Sequence, residues 1–263
     1  MAMTRTTTLV CCALLAVTGC GQNDRHPTDA VDCTVADAYE TKNISNFSGG
    51  LGSWFTYADN TPGGELLALG ATQPTRCGDA AMAEVKVSGH NFYGGGFGNW
   101  ELGGIRANGT GYEGISFWAR SPGNSDKTFT LYVDDGRTIV LPDPDTAPGD
   151  TSPGTRCRRP PPESLGRAAC YYGAALPPST PTRVPEADEC GNRFHTTVTT
   201  TENWQLFLLP WDRLVQFPCP NRLEGGIDPA DIAGLEIKFV QGSTYDLWLD
   251  NFEFYRRRAD AGL

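Results

Sequence analysis

The chain has 263 residues, with 31 acidic residues against 21 Lys and Arg, and a formal net charge of -10. An acidic surface repels phosphate backbones, so nucleic acid is excluded as a partner. The one short basic run, Arg256-Arg257-Arg258, is typical of a solvated chain end rather than of a binding stripe.

Residues 1–19 have the organisation of a signal peptide. A polar start containing Arg5 precedes an apolar run from Leu9 to Val17, and the small residues Thr18-Gly19 follow. The apolar run is too short to span a bilayer as a stable helix. We therefore predict that the chain is exported and that residues 1–19 are removed.

The segment Val17-Thr18-Gly19-Cys20 resembles the bacterial lipobox. The resemblance implies a lipid on Cys20 and a protein anchored in the bacterial cell envelope. Gly21 follows the cysteine, where an aspartate would imply retention at the inner membrane, so the outer membrane is favoured. The alternative is an ordinary secretory signal, with Cys20 as a spare thiol.

Six cysteines remain once Cys11 and Cys12 leave with the signal and Cys20 carries lipid. They are Cys33, Cys77, Cys157, Cys170, Cys190 and Cys219. An even number in an exported chain predicts three disulfides, whose pairing the sequence does not choose. A zinc site is disfavoured, because no Cys-x-x-Cys pair occurs and no histidine lies at ligand spacing from a cysteine.

After Cys20 the chain is organised as a polar, flexible tether over residues 20–37 and an all-β domain over residues 38–256. Short runs in that domain alternate with period two and are separated by Gly, Pro, Asn and Asp, which predicts a β-sandwich. The predicted strands are Ser53 to Tyr57, Ala83 to Ser88, Tyr112 to Arg120, Thr128 to Asp134, Thr196 to Thr200, Trp204 to Leu209, Leu235 to Val240 and Tyr245 to Tyr255.

Two segments depart from the strand pattern. Between about 142 and 192 the chain is rich in Pro, Arg and Gly and carries three of the six cysteines, which predicts a long irregular insertion held by disulfides. Asp228 followed by Pro229 is a helix-start signal and predicts a single short turn. No transmembrane segment is expected after the signal.

Several segments in this order resemble galactose-binding-like jelly rolls, found as carbohydrate-binding modules, family 11 in particular. The segments that carry the resemblance are Asn46-Phe47, Trp54 to Asp59, Tyr112 to Arg120, Thr201 to Gln205, Leu209 to Leu214 and Tyr245 to Phe254. The resemblance covers most of residues 44 to 255. It implies a jelly-roll β-sandwich that binds a polysaccharide or oligosaccharide.

Alternation within the strands separates a core face from a second face. Ile115, Phe117 and Ala119 share one side of their strand, as do Phe129, Leu131 and Val133, and Leu235, Ile237 and Phe239. Trp118, Arg120, Tyr132 and Asp134 are predicted to lie on the second face, where a sugar ring could stack on an aromatic ring and bond to charged groups. The alternatives are a cross-strand ion pair of Arg120 with Asp134, and coverage of Trp118 by the insertion.

A second candidate binding site is the glycine-rich segment from His90 to Trp100, with Phe97 and Trp100 as its ligand contacts. Glycine lets the backbone approach a ligand closely. The alternative is a tight β connection whose rings fill the end of the sandwich. This segment is not a phosphate loop, because it lacks the Gly-Lys-Ser/Thr ending and no helix follows.

The same resemblance implies a structural calcium between an acid on the first strand and an aspartate on the last. Asp250 matches the last-strand position, whereas Ser45, Asn46 and Ser48 stand where acids are expected. Calcium prefers several hard and anionic oxygens, so the departure leaves Asp250 as the one metal candidate, with hydrogen bonding at the strand end as its alternative. No other cofactor is expected.

Catalysis is not expected. Jelly-roll glycoside hydrolases place two carboxylates about 5 to 9 Å apart on one glycosidic bond, and the acidic cluster Glu186 to Glu189 has the wrong spacing. No Gly-x-Ser-x-Gly elbow or histidine triad is present. We therefore predict a lipid-anchored, non-catalytic carbohydrate-binding protein. The alternatives are a structural or adhesive lipoprotein that binds a protein partner, and a glycan-active enzyme whose site is assembled only in three dimensions.

Overall fold

The computed structural model describes residues 34–47, 51–58, 65–76, 79–88, 95–100, 106–138, 191–240 and 242–260. All of them lie in one compact unit, Val31–Leu263. Within these ranges, no helix has the length and apolar character needed to cross a bilayer. The signal peptide, Cys20 and nearly all of the predicted insertion lie outside the described residues.

The described residues form one short helix, α1 (Thr34–Asp37), and eleven strands. In chain order the strands are β1 (Tyr39–Ser45), β2 (Phe55–Ala58), β3 (Glu65–Arg76), β4 (Asp79–Ser88), β5 (Gly95–Trp100), β6 (Gly114–Arg120), β7 (Thr128–Asp135), β8 (Phe194–Thr199), β9 (Gln205–Pro210), β10 (Ile232–Lys238) and β11 (Tyr245–Arg257).

The strands build two antiparallel sheets. The five-stranded sheet has the order β2-β5-β10-β7-β8. The six-stranded sheet has the order β3-β4-β11-β6-β9, with β1 pairing the second half of β11. From β4 to β7 and from β8 to β11, each successive strand lies in the other sheet, which is the connectivity of a jelly roll. The predicted all-β sandwich is confirmed.

The core lies between the two sheets and is built from the predicted apolar faces. Phe117, Leu131 and Leu235, one from each predicted set, are completely buried. Aromatic rings fill the middle of the core: Phe117 stacks on Phe252 with ring centroids 4.9 Å apart. Each such side chain contributes about 1.5 to 3 kcal/mol by leaving water, so this layer fixes the relative position of the two sheets.

Each predicted strand overlaps an observed one, and the predicted turn at Asp228 is a 3-10 helix over Pro229–Asp231. The Asp228 carboxylate accepts a hydrogen bond from the Ala230 amide at 3.0 Å, as expected for an N-cap. The end of the predicted tether differs: residues 34–37 are helical, and Ala36 packs on the six-stranded sheet.

Only one of the six cysteines predicted to form disulfides, Cys219, lies among the described residues, and it is disulfide-bonded. The other five, Cys33, Cys77, Cys157, Cys170 and Cys190, lie outside those residues, so the three-disulfide arrangement stays a prediction.

Candidate functional site

The outer face of the five-stranded sheet carries two neighbouring rows of side chains that cross the strands. Cross-strand pairing places Phe55, Gly98, Glu236, Tyr132 and His195 in the first row. The second row is Tyr57, Gly96, Lys238, Thr130 and Thr197. Because alternate residues of a strand point to one side, these residues share the face opposite the core.

Two glycines of β5 give the face its shape. A Cβ atom on Gly96 would overlap the ring of Tyr57, and one on Gly98 would lie 3.2 Å from the Glu236 Cβ. The Tyr57 ring therefore lies flat across β5, and its hydroxyl donates a hydrogen bond to the Glu236 carboxylate on β10. In the segment Gly96-Phe97-Gly98, Phe97 therefore packs in the core. The two glycines leave space on the outer side of β5 for side chains from β2 and β10.

Arg193, just before β8, bonds to two carboxylates at the centre of the face. Its Nε donates to both carboxylate oxygens of Asp134, at 2.8 and 3.0 Å, and its Nη1 donates to Glu236. Thr138 adds a hydroxyl donor to Asp134 at 3.1 Å. Asp134 and Glu236 are 1% and 3% exposed, so both charges are compensated inside the protein rather than by water.

The environment shifts the pKa values of the Asp134 and Glu236 carboxylates in opposite directions. Burial raises the pKa of Asp134, and Arg193 only partly offsets it. Burial acts on Glu236 too, but Arg193 and the Tyr57 hydroxyl outweigh it and lower the pKa of Glu236. Burial would lower the pKa of Arg193, yet its two carboxylates raise it, so the guanidinium is held charged.

An aromatic series continues from this network to the sheet edge. The Arg193 guanidinium lies 4.9 Å from the centre of the Tyr132 ring, which is near His195, and His195 stacks on Phe217 at 4.0 Å. Burial raises the pKa of Tyr132 to about 12, so its hydroxyl stays protonated at physiological pH. Arg193 thus occupies the stacking side of Tyr132 that a sugar would need.

The accessible part of the face is the second row together with Phe55, and we call it the open strip (Phe55, Tyr57, Lys238, Thr130 and Thr197). Phe55 is 36% exposed, Thr197 is exposed, and the other three are half-buried. Burial lowers the pKa of the Lys238 ammonium. The strip offers aromatic surface, an ammonium donor and hydroxyls along one line across the sheet.

The four residues predicted to lie on one binding face lie on two different faces. Tyr132 and Asp134 lie on the five-stranded sheet, whereas Trp118 and Arg120 lie on the outer face of the six-stranded sheet. Asp134 pairs with Arg193, so the alternative prediction, an ion pair of Asp134 with Arg120, is wrong. Both pairs point away from the core, but on opposite sides of the sandwich.

Trp118 and Arg120 belong to an aromatic cluster on their own sheet. Trp118 is 4% exposed and packs with Trp204, Trp248 and Ala36. The Arg120 guanidinium lies between two indoles, 5.4 Å from the centre of the Trp204 ring and 5.1 Å from that of Trp248. These contacts are cation-π interactions that stabilise the sheet surface.

The residues of the glycine-rich candidate separate as well. Phe97 is completely buried and stacks on Trp54 at 4.8 Å, so it is a core residue, and its predicted role as a ligand contact is wrong. Trp100 ends β5 opposite Gly234 of β10, and its side chain lies outside the described residues. The alternative prediction is a tight β connection whose rings fill the end of the sandwich; Phe97 instead lies on strand β5 and belongs to the core between the sheets.

Asp250, the predicted metal candidate, lies on β11 opposite Trp118 and is 1% exposed. The Ser45 hydroxyl accepts a hydrogen bond from the Trp54 indole at 3.0 Å. Throughout the described ranges, no group of three or more His, Cys, Asp or Glu side chains could hold a metal ion. A metal at Asp250 therefore stays a prediction.

The sequence prediction missed Phe55, Tyr57, Arg193 and Glu236. A signal was present for three of them: Phe55 and Tyr57 alternate with core-directed positions on one predicted strand, and Glu236 alternates with Leu235 and Ile237 on another. Arg193 lies just beyond the predicted insertion, before any period-two pattern begins, so only the fold reveals its position.

No protein-family model and no curated protein matches the chain. Among solved structures, the chain is similar to the family 11 carbohydrate-binding module of the cellulase Lic26A-Cel5E of Clostridium thermocellum, with 13% identity and a TM-score of 0.49 over 82% of this chain and 94% of that one. A family 11 module from the same organism, in complex with a β-1,3-1,4-mixed-linked tetrasaccharide, gives 12% identity and a TM-score of 0.48 over 82% and 94%. The family 30 module of its cellulase Cel9D-Cel44B gives 12% identity and a TM-score of 0.39 over 85% and 93%. The chain is thus similar in structure, at low sequence identity, to carbohydrate-binding modules.

Proposed function

We propose that this protein is a non-catalytic carbohydrate-binding protein that holds a glycan on the open strip of the five-stranded sheet. The observation that carries the proposal is the mixture of groups on that strip: Phe55 and Tyr57 rings beside the Lys238 ammonium and the Thr130 and Thr197 hydroxyls. A pyranose has an apolar C–H face and a rim of hydroxyls, and this mixture matches both.

The buried network next to the strip supports the proposal because it makes the surface rigid. Tyr57 is held by Glu236, and Glu236 is held by Arg193. A preorganised surface loses less conformational entropy when a ligand binds. The network also favours a non-catalytic role, since Asp134 and Glu236 both bond to the same guanidinium rather than facing each other across an open cleft.

The cell-envelope location is part of the proposal. The lipobox-like segment ending at Cys20 supports export and lipid attachment, and Gly21 favours the outer membrane. A tethered binding domain would keep a glycan near the cell surface.

Replacement of Phe55 by alanine tests the proposal. Phe55 is 36% exposed at the edge of the strip, so a sugar that stacks on it buries only part of the ring. We expect Phe55→Ala to weaken glycan binding by roughly 1 to 2 kcal/mol, about five- to thirtyfold in affinity. The measurement is calorimetric titration of the full chain with the glycan that binds most tightly on a glycan array.

A matched control is Leu67→Ala. Leu67 is 46% exposed, and its chain neighbours Leu66 and Ala68 pack on the core, which places Leu67 on the outer side of the six-stranded sheet. This variant should bind the same glycan unchanged. Equal affinity of the Phe55 variant and the wild type would overturn the proposed strip, and failure of every glycan on the array to bind would overturn the function.

A further inference from the structure

A cavity of about 780 Å³ lies away from the open strip, at the edge where β8 and β9 are the outer strands of the two sheets. We call it the end pocket. It is lined by Phe194 from β8 and by residues of the connection between β9 and β10, among them Trp211, Leu214, Val215 and Ile227.

The end pocket and the outer face of the five-stranded sheet lie on different sides of β8. Phe194 points into the sandwich and lines the pocket, and the next residue, His195, points to the face. Backbone hydrogen bonds in both directions join His195 to Val215, at 2.9 and 3.0 Å, so the pocket wall continues the five-stranded sheet. A ligand in the pocket would not contact the open strip.

The walls of the pocket are fixed by hydrogen bonds. The Gln216 side chain donates to the Asn192 carbonyl and accepts from the Leu223 amide at 2.8 Å. The Trp211 indole donates to the Tyr112 carbonyl at 2.8 Å. Because these groups are held by the protein itself, the cavity exists before any ligand binds.

The lining combines an apolar floor with a charged rim. Phe194, Leu214 and Ile227 are 2%, 4% and 7% exposed and form the floor. Asp212, Arg222 and Glu224 are exposed at the rim, so both hydrogen-bond donors and acceptors face the opening. The volume falls within the range of about 300 to 1,000 Å³ found for small-molecule sites.

We infer that the end pocket is a second carbohydrate site, which receives the end of an oligosaccharide rather than the side of a long chain. The apolar floor favours a ligand that has an apolar surface, and the guanidinium and two carboxylates of the exposed rim offer donors and acceptors to its hydroxyl groups. A neutral polyol with an apolar face satisfies both the floor and the rim. This site is independent of the one proposed on the open strip.

The test is calorimetric titration of the full chain with cellotetraose, xylotetraose, mannotetraose and laminaritetraose. The pocket variant is the double replacement Asp212→Ala and Glu224→Ala, and its matched control is Glu202→Ala with Asp260→Ala, which removes the same charge from exposed positions elsewhere. We expect the pocket variant to weaken binding at the end pocket at least about tenfold and to leave binding at the open strip unchanged, and we expect the control to leave binding at both sites unchanged.

A second variant, Val215→Trp, fills the opening, because Val215 is 49% exposed and lines the pocket. This variant should abolish binding at the end pocket. Loss of affinity in the pocket variants alone supports the end pocket and overturns the strip. Loss in Phe55→Ala alone supports the strip and overturns the end pocket. No binding of any of the four tetrasaccharides overturns the end pocket, whereas the open strip is decided by the glycan array.

Discussion

Arg193 is the residue on which the candidate face depends, because it neutralises two carboxylates that are both nearly inaccessible to water. A buried ion pair adds little net stability, yet removal of one member leaves a charge that water cannot solvate. The sequence offers no sign of this role: Arg193 is one of many charged residues around the insertion, and only the return of the chain to β7 brings it to Asp134.

Replacement of Arg193 by methionine should therefore destabilise the fold strongly. We expect Arg193→Met to lower the free energy of unfolding by about 3 to 5 kcal/mol, measured by urea denaturation followed by tryptophan fluorescence. The control is Arg256→Met, whose pair with Glu40 has side chains 45% and 49% exposed, so its loss should change the free energy of unfolding far less. Equal costs for the two variants would show that the buried network does not carry the stability assigned to it.

His195 should make stability depend on pH. Burial lowers its pKa below the ordinary 6.5, against a hydrogen bond to the Arg193 carbonyl, so the folded protein binds this proton less readily than the unfolded chain does. Stability from this group is therefore complete above about pH 6.5 and is lost as the pH falls through the lower folded pKa.

The variant His195→Phe keeps a ring on Phe217 and removes the titration. The melting temperature of the wild type should fall more than that of the variant between pH 7 and pH 5, while the two differ by a constant amount above pH 7. Parallel curves across the whole range would contradict the prediction.

At the scale of elements, the strands that the sequence predicts are those with one apolar and one polar side. The strands it misses lack that pattern for physical reasons. β1 pairs along β11 with mostly exposed side chains, and β5 has glycine on its outer side, so its identity depends on pairing with β2 and β10. Alternation tells which side of a strand faces the core, but it does not tell which sheet the strand joins. The sequence therefore predicts one face for Trp118 and Tyr132, although their strands belong to different sheets.

The glycine at position 96 should be needed for the position of Tyr57. Its backbone φ is outside the left-handed region, so alanine is strained there only by the overlap of its Cβ with the Tyr57 ring. We expect Gly96→Ala to cost about 1 to 3 kcal/mol in the wild type and close to nothing in a Tyr57→Ala background. A double-mutant cycle of urea denaturation measures the difference, and equal costs in both backgrounds would rule out the coupling.

At the scale of the whole molecule, the proposed location depends on a single atom, the sulfur of Cys20. If that sulfur carries the lipid, Cys20→Ala should leave the protein in the soluble fraction of lysed cells, whereas the wild type sediments with membranes. Cys12→Ala, the same change within the signal peptide, should behave like the wild type. Sedimentation of the Cys20 variant with membranes would show that something other than this lipid holds the protein there.

Thr138, just before the predicted insertion of about 142–192, lies next to Gly191, near the end of that insertion, since the Gly191 amide donates to the Thr138 carbonyl at 3.0 Å. Of the six cysteines expected to pair, three lie between these two residues: Cys157, Cys170 and Cys190. Three is odd, so if all six pair, at least one bridge must join the insertion to a cysteine outside it. A protease that cuts once between Cys157 and Cys170 leaves three cysteines on each side, so at least one bridge would join the two fragments, which would separate only after reduction.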